Sequence, residues 1–230
     1  MFQVFSWNIR HGGGKRIPAI IKVLQTHKPT IVILSEFHNN AQGHLIITSL
    51  NAVGYRCHCH PNVPPSTNSV LMASLLPCSF HIHSEADTNF IYNLLSLEFD
   101  IFEIYGVYLP HKKKHTLFPY LKEKISNGKP AIIAGDFNSG VNGIDQVGNS
   151  FWYESDMLNF QKIGYVDCFR HIHGPQKVYS WYSHQGNGFR YDHTFIHESL
   201  LPVLKKCQYL DEVRENGFSD HAAMLIELAG

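Results

Sequence analysis

IYNLLSLEFDIFEIYGVYLP, from Ile91 to Pro110, is the stretch that decides the fold. Two runs rich in β-branched and aromatic residues, Ile91–Phe99 and Ile101–Tyr108, meet at Asp100, which leaves no room for a helix. Runs of this length and composition read as strands, and the single polar residue between them marks a tight hairpin. Beyond the hairpin, Thr116–Ser126 carries a helical pattern stopped by Asn127-Gly128, and Pro130–Gly135 returns to strand. Upstream, Phe2–Ile9, Thr30–Glu36, Tyr55–His60 and Ser69–Ser74 read as strands. Ile17–His27 and Asn40–Val53 read as helices, the first with Pro18 in its opening turn and the second ended by Gly54. Downstream come a helix over Phe151–Ile163, ended by Gly164, and strands at Tyr179–Tyr182, Arg190–Ile196 and Ala222–Leu228. Strands outnumber helices and often follow one another directly. A doubly wound sheet alternates strand and helix; two packed mixed sheets with helices outside fit this order better.

Composition narrows the class further. With 230 residues and 44% hydrophobic content, the chain can form a substantial core, and it reads as a single domain over residues 1–230. Charged residues are scarce at 17%, and 19 basic residues balance 19 acidic ones. Sixteen histidines add about four positive charges at pH 7, given an unperturbed pKa near 6.5. This balance excludes a protein that holds nucleic acid by bulk charge. The longest apolar runs, such as Ile31–Leu34, are strand-length, so no membrane span is expected, and no signal peptide is visible. Five irregularly spaced cysteines suit a reducing, cytoplasmic location rather than a disulfide framework. No surplus apolar stripe demands a partner, so a monomer is expected.

Polar residues recur where strands end, the edge at which an open sheet presents side chains to a cleft. Asn8 closes the first strand and Glu36 the second, Tyr108 ends the hairpin, and Asp136 and Asn138 follow Pro130–Gly135. Asp192 lies in Phe189-Arg190-Tyr191-Asp192-His193, and Asp220 and His221 precede the last strand. Singly, each is an ordinary turn residue; six such coincidences at six strand ends are not.

The spelling and order of these motifs are specific. Trp7-Asn8-Ile9, Leu34-Ser35-Glu36, Gly106-Val107-Tyr108-Leu109-Pro110, Gly135-Asp136-Phe137-Asn138, Arg190-Tyr191-Asp192 and Ser219-Asp220-His221 span nearly the whole chain. In that order they resemble the endonuclease/exonuclease/phosphatase superfamily, and within it the exonuclease III-like nucleases and AP endonucleases. Gly164–Arg170 and Tyr179-Ser180-Trp181-Tyr182 look like the same branch. The resemblance implies a four-layer α/β sandwich of two mixed sheets flanked by helices. It also implies hydrolysis of DNA phosphodiesters, as a 3′-5′ exonuclease, an AP endonuclease or both, on single- or double-stranded, abasic or 3′-end substrates. The alternative within the superfamily is a phosphatase or phosphodiesterase on a small molecule or lipid head group, of inositol-phosphate or sphingomyelin type.

Roles follow by residue type and resemblance. Phosphodiester hydrolysis needs charge neutralisation, an oriented water and a stabilised leaving group. Glu36 and Asn8 are oxygen donors suited to a hard ion, Mg²⁺ or Mn²⁺. By resemblance Asp220 joins this metal region, Asp136 activates the water with Asn138 beside it, His221 paired with Asp192 meets the phosphoryl oxygen, and Tyr108 contacts the scissile phosphate. Trp181, Phe189 and Tyr191 occupy the branch's aromatic pocket. Arg16, Lys112 and His111 follow metal-site and phosphate-site motifs and are candidate backbone contacts; Lys15, Lys113 and Lys114 extend the same basic runs. Gly12–Lys15 is not a P-loop, since Arg16 stands where Ser or Thr would follow the lysine.

Several features depart from the branch. His111 stands where AP endonucleases often carry Asn, and Tyr191 where an aliphatic residue is common. The segments Pro110–Thr116 and beyond Asn138 look short, as in a compact version with fewer DNA contacts, so weak and salt-sensitive binding is expected. Finally, Cys57-His58-Cys59-His60 lacks zinc spacing and alternates along a strand, which predicts buried thiols and exposed imidazoles.

Overall fold

A computed structural model describes residues 1–112 and 114–229, so Lys113 of the basic run lies outside the described residues. Fourteen strands and six helices are found among them. The first half contains β1 (Phe2–Asn8), α1 (Ile17–His27), β2 (Ile31–Phe37), α2 (Ala41–Ala52), β3 (Arg56–Cys59), β4 (Ser69–Ser74), β5 (Ser79–Ile82), β6 (Leu94–Glu98) and β7 (Glu103–Tyr108). After these come α3 (Leu117–Asn127), β8 (Ala131–Asp136), α4 (Glu154–Lys162), β9 (Tyr165–Asp167) and α5 (Cys168–His173). The chain then forms β10 (Trp181–Tyr182), β11 (Gly188–Phe189), β12 (Asp192–His197), β13 (Leu204–Leu210), α6 (Glu212–Glu215) and β14 (Ala223–Leu228).

The strands build two six-stranded sheets, ordered β13-β14-β1-β2-β4-β3 and β5-β6-β7-β8-β12-β9, with β10 and β11 as a separate ribbon. Each sheet is mixed: β1 and β2 pair parallel in the first, β7 and β8 in the second, and every other neighbour is antiparallel. The Ile91–Pro110 hairpin is thus the β6–β7 pair, with Leu94 opposite Val107.

Period-two alternation divides each strand between two cores. Val4, Ile31, Ile33 and Met72 from the first sheet meet Leu95, Leu97, Ile104 and Ile132 from the second, filling the space between sheets. Their neighbours Phe5, Trp7, Val32 and Leu34 turn outward onto Ile20 and Leu24 of α1 and Ile46 and Leu50 of α2. Tyr105, Val107 and Ile133 turn outward onto Leu117, Phe118 and Leu121 of α3 and Phe160 of α4. The layers run helix, sheet, sheet, helix, the sandwich expected from the sequence. Because both faces are covered, β2 reads as a continuous apolar run rather than an alternating one.

Some elements differ from the sequence reading. The helix expected over 151–163 begins only at Glu154, because Phe151 N–H is held by the Asn142 side chain at 3.1 Å. The half-buried Cys57 and Cys59 pack against the core beneath α2, and burial, followed by the neighbouring Cys59, pushes the Cys57 thiol up to about 12. The imidazoles of His58 and His60 are half-buried rather than exposed. His58 stacks on Phe80 at 4.3 Å and His60 meets Tyr92 edge-on at 4.7 Å, so aromatic packing covers both rings. All five cysteines are free thiols. No helix among the described residues is long and apolar enough to cross a membrane.

Candidate active site

The predicted strand-end residues converge on one edge shared by the two sheets. Asp136 is the last residue of β8 and Asp192 the first of β12, and the two are register partners. Closeness of β8 to β7 is a sequence requirement: at Gly135, with φ of 151°, an added Cβ would lie 1.9 Å from Val107 O. Tyr209 OH donates to the Asp192 carbonyl, and the buried Ser180 Oγ accepts both Tyr191 N–H and Asp192 N–H, at 3.0 and 3.1 Å. His221 stands just before β14, its N–H donating to Ser219 Oγ at 3.2 Å and its carbonyl accepting Trp7 Nε1 at 3.1 Å.

Four non-glycine residues around this edge, Arg10, His11, Glu36 and Asn138, have positive φ between 46° and 56°. Left-handed backbone costs roughly 1–2 kcal/mol per such residue, and its concentration here marks a shape held for function. Glu36 lies where the register between β2 and β4 slips, and this bulge turns its carboxylate toward the cleft. At Asn138 backbone and side chain both support the turn: the backbone N–H donates to Asp136 Oδ1 at 2.8 Å and the side-chain amide to Leu109 O at 2.9 Å.

Electrostatics separate the roles. His221 Nδ1 lies 2.7 Å from Asp192 Oδ2. Burial by itself lowers the histidine pKa, but the Asp192 charge and hydrogen bond, with Asp136 and Asp220 beyond, outweigh it and raise His221 to about 9. The ring is therefore a cation at neutral pH. Asp136 is fully buried, and burial first, then the adjacent Asp192 charge, lifts its pKa above the usual range. The His221 cation, Asn138 N–H and the Asn8 amide oppose that lift without cancelling it. A carboxyl poised in this way suits proton abstraction near neutral pH.

Glu36 forms the second centre. Its Oε2 accepts His11 N–H at 2.7 Å, while Oε1 accepts the Asn8 amide at 3.1 Å and lies 3.4 Å from Tyr108 OH. The same Asn8 nitrogen donates to Asp136 Oδ2 at 2.8 Å, and Asn8 Oδ1 accepts Arg10 N–H at 2.9 Å. Asn8 therefore bridges the two carboxylates with its nitrogen. Burial, then the charges of Glu36 and Asp136, hold the Tyr108 hydroxyl well above its ordinary pKa, so it remains a donor. Asp220 Oδ2 sits 3.3 Å from Trp181 Nε1 and 3.5 Å from Arg10 Nε.

The donor set fits a hard divalent cation. Glu36, Asp136, Asp192 and Asp220 bring four carboxylates to one cleft, and the buried Asp192 Oδ1 has no hydrogen-bond partner. Asp136, Asp192 and His221 also hold ligand atoms within 4.8 Å of one another. Oxygen donors with surplus negative charge are the chemistry that Mg²⁺ and Mn²⁺ select.

The expected substrate residues are brought to the same edge in part. Phe189 and Tyr191 stack at 5.3 Å, Trp181 lies 5.5 Å from Tyr191, and Tyr191 lies 6.4 Å from His221, forming an aromatic wall beside the histidine. His111 joins this wall through Tyr191 and Trp152, 6.4 and 4.8 Å away. Lys112 is exposed at the rim. Arg16 is turned to the backbone, donating to Arg10 O at 2.6 Å and Phe218 O at 3.3 Å, so it ties the glycine loop down.

Sequence reasoning missed several neighbours. Arg10 and His11 stand two and three residues past Asn8, and that proximity was the available signal. Asn68 donates to Tyr108 OH at 3.1 Å and lies 2.8 Å from His38 Nε2 through its oxygen, but nothing in a Pro/Ser/Asn loop announces this. Phe151 and Trp152 complete the aromatic wall, Phe151 lying 5.9 Å from Tyr191.

The chain resembles known proteins in sequence and in fold. Curated relatives named exodeoxyribonuclease, from two Streptococcus pneumoniae strains (serotype 4 TIGR4 and R6), are each 24% identical over 165 residues, covering 59% of this chain. The match spans 58% of those relatives' length. Three solved structures superpose over 100% of both chains. They are a 3′-5′ exonuclease (NExo) from Neisseria meningitidis (TM-score 0.85, 19% identity), the 3′ phosphatase NExo from Neisseria bound to product DNA hairpin (0.83, 18%) and an AP endonuclease from Archaeoglobus fulgidus (0.82, 18%). At these identities they establish the fold. The family model described as Endonuclease/Exonuclease/phosphatase family matches residues 5–221, from the first strand to the histidine of the site. The chain belongs to the endonuclease/exonuclease/phosphatase family.

Proposed function

We propose that this protein is a Mg²⁺- or Mn²⁺-dependent phosphodiesterase acting on DNA, as a 3′-5′ exonuclease, an AP endonuclease or both. The observation that carries the reading is the buried Asp192–His221 pair, 2.7 Å apart, facing the raised Asp136 carboxyl beneath an aromatic wall. Asp136 takes a proton from water as the new P–O bond forms, and Asn138 holds the carboxylate in place through its N–H. The His221 cation and the Tyr108 hydroxyl donate to the phosphoryl oxygens, where charge grows in the transition state. The P–O bond to the departing sugar breaks opposite the attacking water. Glu36 and Asp220 would hold the divalent ion, with Asn8 orienting Glu36, and the ion would supply charge neutralisation to the phosphoryl and leaving oxygens. The aromatic wall offers stacking to a base or abasic sugar at the cut. The names of the relatives support DNA as substrate, and the five free thiols suit a reducing, cytoplasmic location. A monomer remains the expected state.

The test is incubation with Mg²⁺ or Mn²⁺ and labelled single-stranded, duplex, 3′-phosphate and abasic-site DNA. Metal-dependent cleavage should be abolished in Asp136→Asn and His221→Ala and reversibly lost in EDTA. Full activity in either folded variant overturns the assignment. Turnover of inositol phosphates or sphingomyelin without cleavage of any DNA would transfer the same chemistry to a small phosphoester.

A further inference from the structure

A second group of metal-binding side chains lies away from the cleft, on the outer edge of the second sheet. His81 on β5 and His83 just past its end are two residues apart on an extended segment, so both rings leave the same face. Glu85 follows at the same spacing, and ring nitrogens of both histidines and a carboxylate oxygen of Glu85 lie within 4.8 Å of one another. His81 Nε2 is 3.6 Å and His83 Nδ1 3.9 Å from Glu85 Oε1. Ligand atoms of a tetrahedral zinc ion, with bonds of about 2.0–2.2 Å, sit roughly 3.4 Å apart, so the two contacts to Glu85, at 3.6 and 3.9 Å, are within about half an ångström of that spacing.

The surroundings are arranged as an outer shell. Ser96 Oγ on β6 lies 3.0 Å from His83 Nε2, so an imidazole that ligates through Nδ1 would have its opposite nitrogen placed to donate to Ser96. Tyr120 of α3 lies 3.0 Å from His83 Nδ1 and donates its hydroxyl to Glu85 Oε1. A hydrogen bond from the ring nitrogen opposite the ligating one is the usual means of fixing a metal-binding imidazole. His83 is 4% exposed, whereas the side chains of His81 and Glu85 are 61% and 52% exposed, so one anchored ligand is paired with two that solvent can reach.

We propose that His81, His83 and Glu85 bind a Zn²⁺ ion at a site distinct from the cleft, with its fourth position facing Tyr120. Two imidazoles and one carboxylate select a borderline ion, unlike the oxygen-only donors of Glu36 and Asp220. β5 is three strands from β8, roughly 14 Å at normal strand spacing, so the role is structural. The ion would join the edge strand, the following turn and α3. That turn continues to Asp87, which accepts Thr116 N–H at 2.8 Å, and to Asn93, whose amide donates to Tyr108 O at 2.5 Å. The zinc site therefore braces the segment that holds Tyr108 in the cleft.

The experiment is Zn²⁺ titration of the full, untagged chain against a chromophoric chelator, with His81→Ala/Glu85→Gln and Asp136→Asn/His221→Ala as separate double variants. Both residues of the first pair are exposed, so replacing them leaves the core packing intact. Wild type should hold one more equivalent of Zn²⁺ than His81→Ala/Glu85→Gln, and the second variant should keep that equivalent. Zn²⁺ should raise the melting temperature of wild type but not of His81→Ala/Glu85→Gln, and imidazole NMR signals of His81 and His83 should shift together. Equal stoichiometry and equal thermal shift in wild type and His81→Ala/Glu85→Gln overturn the site, whatever the nuclease assay shows.

Discussion

Replacing Arg190 by methionine keeps most of the stem and removes the charge from a buried four-residue network. Arg190 is 1% exposed. Its Nε donates to Asp145 Oδ1 at 2.7 Å, its Nη1 to Asp167 Oδ1 at 3.2 Å, and its Nη2 to both carboxylates. Burial alone would push both carboxyls up, but the guanidinium outweighs it and holds each below its ordinary pKa. Without that charge, Asp145 keeps Arg170 and the nearby His193, and Asp167 keeps His193 Nδ1, 3.6 Å away. Breaking a buried ion pair from one side costs about 3–5 kcal/mol, and the value belongs at the upper end because two carboxylates lose a partner. With total stabilities of about 5–15 kcal/mol, and about 2–4 °C per kcal/mol for a chain of this length, Arg190→Met should melt roughly 10–20 °C lower. Urea denaturation of wild type, Arg190→Met, Asp167→Asn and the double variant tests the origin of the loss. The double variant should be more stable than Arg190→Met alone, since one uncompensated carboxylate is gone. The sign with pH is also fixed. Depressed carboxyl pKa values stabilise the folded chain above the unfolded value near 3.9, and that contribution is lost as pH falls through the folded values. The gap between wild type and Arg190→Met should therefore narrow in acid. A loss under about 1 kcal/mol, below the range for a buried pair, or strictly additive single variants refute the reasoning.

Three further predictions concern other parts of the chain. His115 is buried beside Phe118 and Tyr153, 5.7 and 4.5 Å away, with neither ring nitrogen hydrogen-bonded. Burial holds its pKa at about 4, against a weaker opposing pull from Asp87. Because the unfolded chain takes up this proton first, wild type should lose about 1–2 kcal/mol relative to His115→Phe between pH 7 and pH 5, read from urea midpoints; a constant difference contradicts it. On DNA, Trp181→Ala should weaken binding by about 1–3 kcal/mol with the salt slope unchanged, and Lys112→Ala should reduce that slope by about one; the reverse pattern removes the stacking assignment.

Strand-end polar residues were legible because their chemistry and their position in the chain coincide. Asn8, Glu36, Tyr108, Asp136, Asp192 and His221 each close or precede an apolar run, so a sheet edge gathers them once the runs pair. The edge strand β5 was not legible: Ser79–Ile82 is solvent-facing along most of its length and shows no burial period. Left-handed backbone at Arg10 and Glu36 was hidden for a different reason, since neither residue favours it and tertiary contacts impose it. The Arg190 network was equally hidden. Asp145, Asp167 and Arg190 lie on separate segments, and only the folded sheet brings them together.

That network clarifies what the acids of a charge-neutral chain do. Asp145 and Asp167 are buried opposite Arg190 and Arg170, carboxylate for guanidinium, and no charge is left over. Glu36, Asp136, Asp192 and Asp220 meet the buried His221 imidazolium, with Arg16 near Glu36 and Asp220 and the exposed His11 and Arg10 side chains at the rim, 3.2 Å from Glu36 and 3.5 Å from Asp220. The first arrangement locks the start of β12, and hence Asp192, into register. The second leaves more acid than base at the place where, on the proposed function, a phosphodiester, itself an anion, arrives. Repulsion between that substrate and the cleft would prevent binding in the absence of a divalent ion. The pairing that is complete in the network and incomplete in the cleft is therefore the physical reason to expect strict metal dependence from a protein whose overall charge is zero.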